Sequence, residues 1–294
     1  MIYKYPLENQ KLDLSEYTAA HAGDKTVQYK TVDGMPICLS YYYPNDYNSS
    51  NKYPVFLFIH GGGWASHKIF DGEQGWQGDY LGYLARYYAK KGFVSVSIDY
   101  RLSSPDGQAE KYQIIDCYDD CADAVDYILD RASDCGIDTE NVFVLGESAG
   151  GHLAGLVTTK YNRPGFQLKG SFLVNAITDL EGDIQWKERV PKKSAHSKLA
   201  KMPESEYAKY LSPLYNVSEN TCPVVLIHGE QDSVVALAHS EGFYQRMEEL
   251  KRECELHVIE STNHAFLLAE YTDNLAACKT GIRIIDQWLS EKGF

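Results

Sequence analysis

Long apolar runs are missing from this chain. No stretch approaches the roughly 20 residues that a membrane-spanning helix needs, so no such span and no membrane partner is predicted. The N-terminus, Met1-Ile2-Tyr3-Lys4-Tyr5-Pro6, lacks the charged-then-apolar pattern of a secretory signal. The seven cysteines are odd in number and scattered, which disfavours a disulfide framework and predicts reduced thiols in a cytoplasmic protein. No His, Cys and carboxylate residues fall together at metal-ligand spacing, so no metal is predicted. Gly-x-Gly-x-x-Gly is absent and no Gly-Lys-Ser/Thr follows the glycine-rich loop, which argues against a nucleotide cofactor. Positive charge is short as well. With 28 Lys and Arg against 41 Asp and Glu, the formal charge of −13 disfavours nucleic acid and anionic membrane surfaces as partners. There is no internal repeat.

What the chain has is alternation of apolar runs with helix-period segments. At 294 residues and 44% hydrophobic, it can bury a large core as a single domain spanning residues 1–294. Residues Val27 to Tyr43 predict a hairpin turning at Asp33-Gly34. Strands are predicted at Val55–Ile59, Val94–Ile98, Val142–Leu145, Ser171–Asn175, Pro223–Ile227 and Leu256–Ile259. Helices are predicted at Tyr80–Lys91, Ile114–Arg131 with its acids on the face away from the core, His152–Thr159 and Leu275–Trp288. This order implies an α/β fold, a mostly parallel sheet with helices on both faces. Two segments fit the scheme poorly, 65–79 and 178–215. Long connections in compact domains are usually functional, so both are candidate cap segments. The lysines from Lys192-Lys193 to Lys201 then form a solvated face of the second.

Gly146-Glu147-Ser148-Ala149-Gly150 carries the chemistry. It is a G-x-S-x-G between an apolar strand and a helix, the context in which a sharp turn holds a serine exposed and strained. His60-Gly61-Gly62-Gly63-Trp64 follows another buried strand. Its backbone amides at Gly62 and Gly63, with that of Ala149, are candidate oxyanion donors, and Gly61 is the expected turn residue. His60, at the strand end, is expected to hydrogen-bond structurally. A base and its orienting acid should follow Ser148 in the order acid, then histidine. Asp232 and His264 each lie just beyond a predicted strand, at the edge where sites in open α/β sheets gather. Glu230 is the rival acid. His257 is expected to be a face residue of its strand, and His152, His228 and His239 to be packed or hydrated rather than reactive. Trp64, Trp76, Tyr80, Tyr83 and Tyr100 are candidates for the pocket mouth, Trp64 and Tyr100 above all, with core packing as the alternative.

Together with Asp99-Tyr100-Arg101-Leu102-Ser103, His228-Gly229-Glu230-Gln231-Asp232 and Asn263-His264-Ala265-Phe266, these motifs resemble the hormone-sensitive-lipase-like branch of the α/β-hydrolases. They are particularly similar to bacterial carboxylesterases of the acetyl-xylan and feruloyl esterase type, over roughly Thr26 to the C-terminus. The resemblance implies an α/β-hydrolase fold and a Ser148–Asp232–His264 esterase with no cofactor. The implied substrate is a small-molecule ester, with acylated sugars as a candidate. It also implies that Asp99 to Arg101 support the site and that Glu147, where relatives commonly carry Asp, keeps a buried hydrogen-bonding role. Three alternatives stay open: an amidase, arylformamidase or peptidase of the same fold; a transferase to another alcohol; and a non-catalytic ligand-binding protein on this scaffold. Oligomeric state is not legible.

Overall fold

The structure is a computed structural model and describes residues 1–6, 22–65, 81–103, 111–182, 198–268 and 275–294. Strand β4 (Tyr53–Ile59) shows why this sequence makes a sheet buried on both sides. Val55, Leu57 and Ile59 point into one apolar layer, and Phe56 and Phe58 into the other. β5 (Val94–Ile98), β6 (Ile137–Glu147), β7 (Gly170–Val174), β8 (Val224–Gly229) and β9 (Cys254–Ile259) run parallel to it. β6, β7 and β8 also send apolar side chains into both layers, whereas β5 carries Ser95 and Ser97 and β9 carries Glu255 and His257 on the second face. The hairpin β2 (Lys25–Val32) and β3 (Met35–Tyr42) adds two antiparallel strands beside β5. Its turn is made by Asp33 and Gly34, both with positive φ, as a two-residue hairpin turn requires. The order in the sheet is β1-β9-β8-β7-β6-β4-β5-β3-β2.

The far edge strand, β1 (Ile2–Tyr5), was not expected from the sequence. It pairs parallel with β9, and its Tyr3 ring stacks on His257 at 4.7 Å between centroids. Four residues carry too weak a period to announce a strand. The ladder comes from a partner 254 positions away.

Helices cover both faces. α1 (Gly82–Lys90) and α7 (Leu275–Glu291) lie on the phenylalanine side, where Phe56, Phe143 and Phe172 meet Tyr88 and Trp288. α2 (Ile114–Asp130), α3 (Ala149–Lys160) and α6 (Ala238–Glu249) lie on the aliphatic side. α6 has no counterpart among the helices predicted from periodicity. α4 (Glu204–Tyr210) and α5 (Pro213–Asn216) belong to the segment expected to form a cap. Its described parts are packed: Tyr207 and Leu211 are buried, and Leu180 donates its N–H to Ser212 Oγ at 2.7 Å. Trp186 and the lysines at 192 and 193 lie outside the described residues. So does the first cap segment, Trp76 included, save for Ala65; Tyr80 lies outside them too.

Candidate active site

The site forms where β4, β6, β8 and β9 end together. Ile59 is in register with Gly146, and Gly229 with Ile259, so the loops that follow them leave the sheet at the same edge. Between β6 and α3 the chain reverses at Ser148, whose φ of 56° and ψ of −122° are costly for a residue with a side chain. Gly150 makes the reversal possible. A Cβ there would collide with the carbonyl oxygens of Ile59 and His60, so the turn can press against the end of β4 only with glycine.

Ser148 Oγ lies 2.9 Å from His264 Nε2, and His264 Nδ1 lies 2.7 Å from Asp232 Oδ2. The structure thus joins three side chains from three loops into one hydrogen-bonded line. Asp232 is well held. Its Oδ1 accepts the N–H groups of Val234 and Val235, each at 2.8 Å, and its Oδ2 lies 3.4 Å from His228 Nε2. Burial opposes its charge, but the hydrogen bonds from His228 and His264 hold its carboxyl far below the usual carboxylate range. Burial likewise opposes a charge on His264, yet the Asp232 hydrogen bond and the negative charges of Glu147 and Asp232 raise its pKa. Glu230, the rival acid, turns away, with its Oε1 3.9 Å from Lys4 Nζ and its Oε2 accepting from Ser261 N–H.

The glycine loop differs from expectation in one detail. The positive φ values fall at Gly62 (91°), Gly63 (62°) and Trp64 (58°), so the turn is made by these residues and not by Gly61. Among the described residues, none accepts a backbone bond from the N–H of Gly62, Gly63 or Ala149. Ala149 opens α3, where the first amides have no partner within the helix. Trp64 and Tyr100, the pocket candidates, are corrected by burial: they are 2% and 0% exposed. Trp64 Nε1 donates to His152 Nδ1 at 3.3 Å, and Tyr100 Oη donates to the carbonyls of His60 and Gly61. They brace the glycine loop from behind.

Asp99 and Arg101 complete that brace. His60 stacks on Tyr100, and its Nε2 lies 3.5 Å from Asp99 Oδ1. Arg101 donates through its backbone N, Nε and Nη2 to Asp120. Asp120 was expected on the outer face of α2 but is fully buried, because it also receives Lys30 Nζ at 2.5 Å. His152, His228, His239 and His257 are all buried and hydrogen-bonded, as packed histidines should be. For His152, burial pushes the imidazole down to about 4.

Two asparagines also position the site. Asn263 Oδ1 accepts from Ser233 N, Ser233 Oγ and His264 N, tying the acid loop to the base loop. Asn175, at φ 43°, accepts Gly229 N–H at 3.0 Å and fixes the end of β8. Asn263 stands in a recognised motif, but its partner Ser233 lies 30 residues away. Glu147 is buried as expected, but its Oε1 has no hydrogen bond and lies 3.8 Å from His264 Nε2. Among the described residues no group of His, Cys, Asp and Glu could hold a metal, and no helix is long and apolar enough to cross a membrane. A cavity of about 440 Å³ lined by Lys160, Arg163 and Cys222 lies at the other end of α3, about 18 Å of helix from Ser148, and is not part of this site.

Known proteins similar to this chain include esterases. The chain is 26% identical over 212 residues to esterase LipC of Mycobacterium tuberculosis, covering 68% of this chain and 49% of that protein. It spans about half the length of the curated esterases it matches in this way. The apo form of Thermogutta terrifontis esterase 2 superposes with a TM-score of 0.75 at 25% identity, covering 95% of this chain and 98% of that one. The propionate-bound form of that esterase gives 0.74 at 25% identity, covering 95% and 97%. The model of the dienelactone hydrolase family matches residues 203–292. The BD-FAE family model matches residues 39–247, well over half of the chain, and with this nine-stranded sheet and its helices the chain belongs to that family of α/β-hydrolases.

Proposed function

We propose that this chain is a serine carboxylesterase that hydrolyses short-chain esters through an acyl-enzyme. The observation that carries the reading is the line Ser148 Oγ–His264 Nε2–His264 Nδ1–Asp232 Oδ2, at 2.9 Å and 2.7 Å. A serine hydroxyl needs such a base to become a nucleophile at neutral pH. Ser148 Oγ attacks the ester carbonyl while His264 Nε2 takes its proton. The oxyanion that forms is met by the N–H groups of Gly62, Gly63 and Ala149. The C–O bond to the alcohol breaks as His264 returns the proton to the leaving oxygen. Water then attacks the acyl-serine, gives its proton to His264, and the carboxylic acid leaves as Ser148 recovers its hydrogen.

The propionate held by the structurally similar Thermogutta esterase 2 supports a short acyl chain. An acylated sugar is the candidate natural substrate, on the family resemblance rather than on Trp64 or Tyr100, which are buried. The test is hydrolysis of p-nitrophenyl esters from acetate to decanoate by the wild type and Ser148→Ala. The expected result is a maximum at acetate to butyrate and a loss of turnover of several orders of magnitude in the variant. Undiminished turnover in Ser148→Ala would remove the nucleophile. A folded wild type that cleaves no ester and takes no fluorophosphonate label would favour a binding protein, and preference for anilides would favour an amidase.

A further inference from the structure

Glu147 is a buried titratable side chain beside the reacting atoms that the two-step scheme leaves without a task. It is 1% exposed, and its Oε1 has no hydrogen-bond partner among the described residues. A carboxyl group buried in this way costs stability, and such a cost at a site is a reason to look for a role. Its Oε1 is 3.8 Å from His264 Nε2, too long for a hydrogen bond and short enough for charge interaction, with the Glu147 carboxyl itself buried. The side of the imidazole is informative. Asp232 holds Nδ1, whereas Glu147 faces Nε2, the atom that receives the proton from Ser148.

We propose that Glu147 is a second counter-ion for His264, stabilising the imidazolium from the Nε2 side as Asp232 does from the Nδ1 side. The inference rests on Ser148 and His264 being nucleophile and base. Glu147 exchanges no proton with the substrate and acts through His264, so it is a positioning residue. Burial pushes its carboxyl up to about 7, against the pull of the His264 charge and with the push of Asp232. Among the described residues His228 is a further titratable group beside this line, its Nε2 3.4 Å from Asp232 Oδ2. Glu147 and His264 therefore take up protons as an interacting pair. The acid limb of the wild-type rate profile belongs to both groups together.

The experiment is the pH dependence of kcat/KM for p-nitrophenyl acetate, and of inactivation by a fluorophosphonate, in wild type, Glu147→Gln and Glu147→Asp. An ionised carboxylate beside Nε2 raises the pKa of His264, so its loss lowers that pKa. In Glu147→Gln the acid limb should move down by on the order of one pH unit and follow a single protonation. The plateau should fall by roughly 10-fold, because the imidazolium formed on attack is less stabilised. Glu147→Asp, with a shorter reach, should lie between the two. An unchanged limb in both assays, even with a lower plateau, would overturn the proposal and leave Glu147 a structural residue. If Glu147→Gln fails to fold, the limb of Glu147→Asp decides in the same way. Ser148→Ala, run in parallel, separates failure of this inference from failure of the esterase reading, since only the second leaves that variant active.

Discussion

At the scale of the residue, the site is a set of unfavourable states held in place by their neighbours. Ser148 sits at φ 56°, which costs on the order of 1–3 kcal/mol, and Glu147 beside it is a carboxyl kept from water. The second cost is measurable. In the unfolded chain Glu147 releases its proton near its ordinary value of 4.5, and in the fold only at about 7. Between those two pH values the unfolded state therefore binds fewer protons than the native one, and the wild type loses stability as pH rises. Glu147→Gln has no such loss. Its melting temperature should match the wild type below about pH 4.5 and exceed it by a few degrees above about pH 7. Thermal melts across that range read the difference directly, and equal curves at pH 8 would mean that the carboxylate is better solvated than its burial indicates.

At the scale of the element, the loops of the site are positioned by contacts behind them. β5 delivers Asp99-Tyr100-Arg101 to the back of the glycine loop, and α2 anchors that segment through Asp120. Arg101 and the partly buried Lys30 share the buried Asp120, and Asp116 and Asp123 at the rim give each cation a second carboxylate. Removing Asp120 takes the buried carboxylate from both cations. Asp120→Ala should destabilise the fold by about 3–5 kcal/mol, seen as a lower denaturation midpoint in urea. The loss should exceed that of Asp123→Ala, because Asp123 is half exposed at the same lysine. The sequence showed α2 as an amphipathic helix with acids outside. It could not show that one acid, at the boundary of the stripe, meets an arginine 19 positions back.

At the scale of the whole molecule, two cores of different character hold the sheet. The aliphatic face carries α2, α3 and α6, and the aromatic face carries α1 and α7. Trp288 of α7 packs edge-on against Phe143 and Phe172, under the central strands. Gly170 lies so close to its ring that a Cβ there would come within 2.6 Å. Trp288→Ala should therefore cost about 3–5 kcal/mol by leaving a cavity that backbone cannot fill. Turnover per folded molecule should persist, since the line from Ser148 to Asp232 lies beyond the strand ends. Calorimetry with active-site titration checks both halves. A variant as stable as wild type would mean that the phenylalanines close over the gap.

Local chemistry determined much of this protein. Strands β4 to β9 came from apolar runs and the Asp33-Gly34 hairpin from its turn residues, because burial on two faces and positive φ each restrict which residues can occupy a position. Ser148, Asp232 and His264 were legible as loop residues at strand ends, for the chain order of a site is written along the chain. Proximity in space is not. Whether Trp64 and Tyr100 faced a pocket or the core, whether Asp232 or Glu230 reached His264, and which nitrogen Glu147 faced were decided by the packing of separate strands and helices. Those outcomes depend on distances of a few ångströms between residues tens to hundreds of positions apart, and composition and periodicity carry no such information.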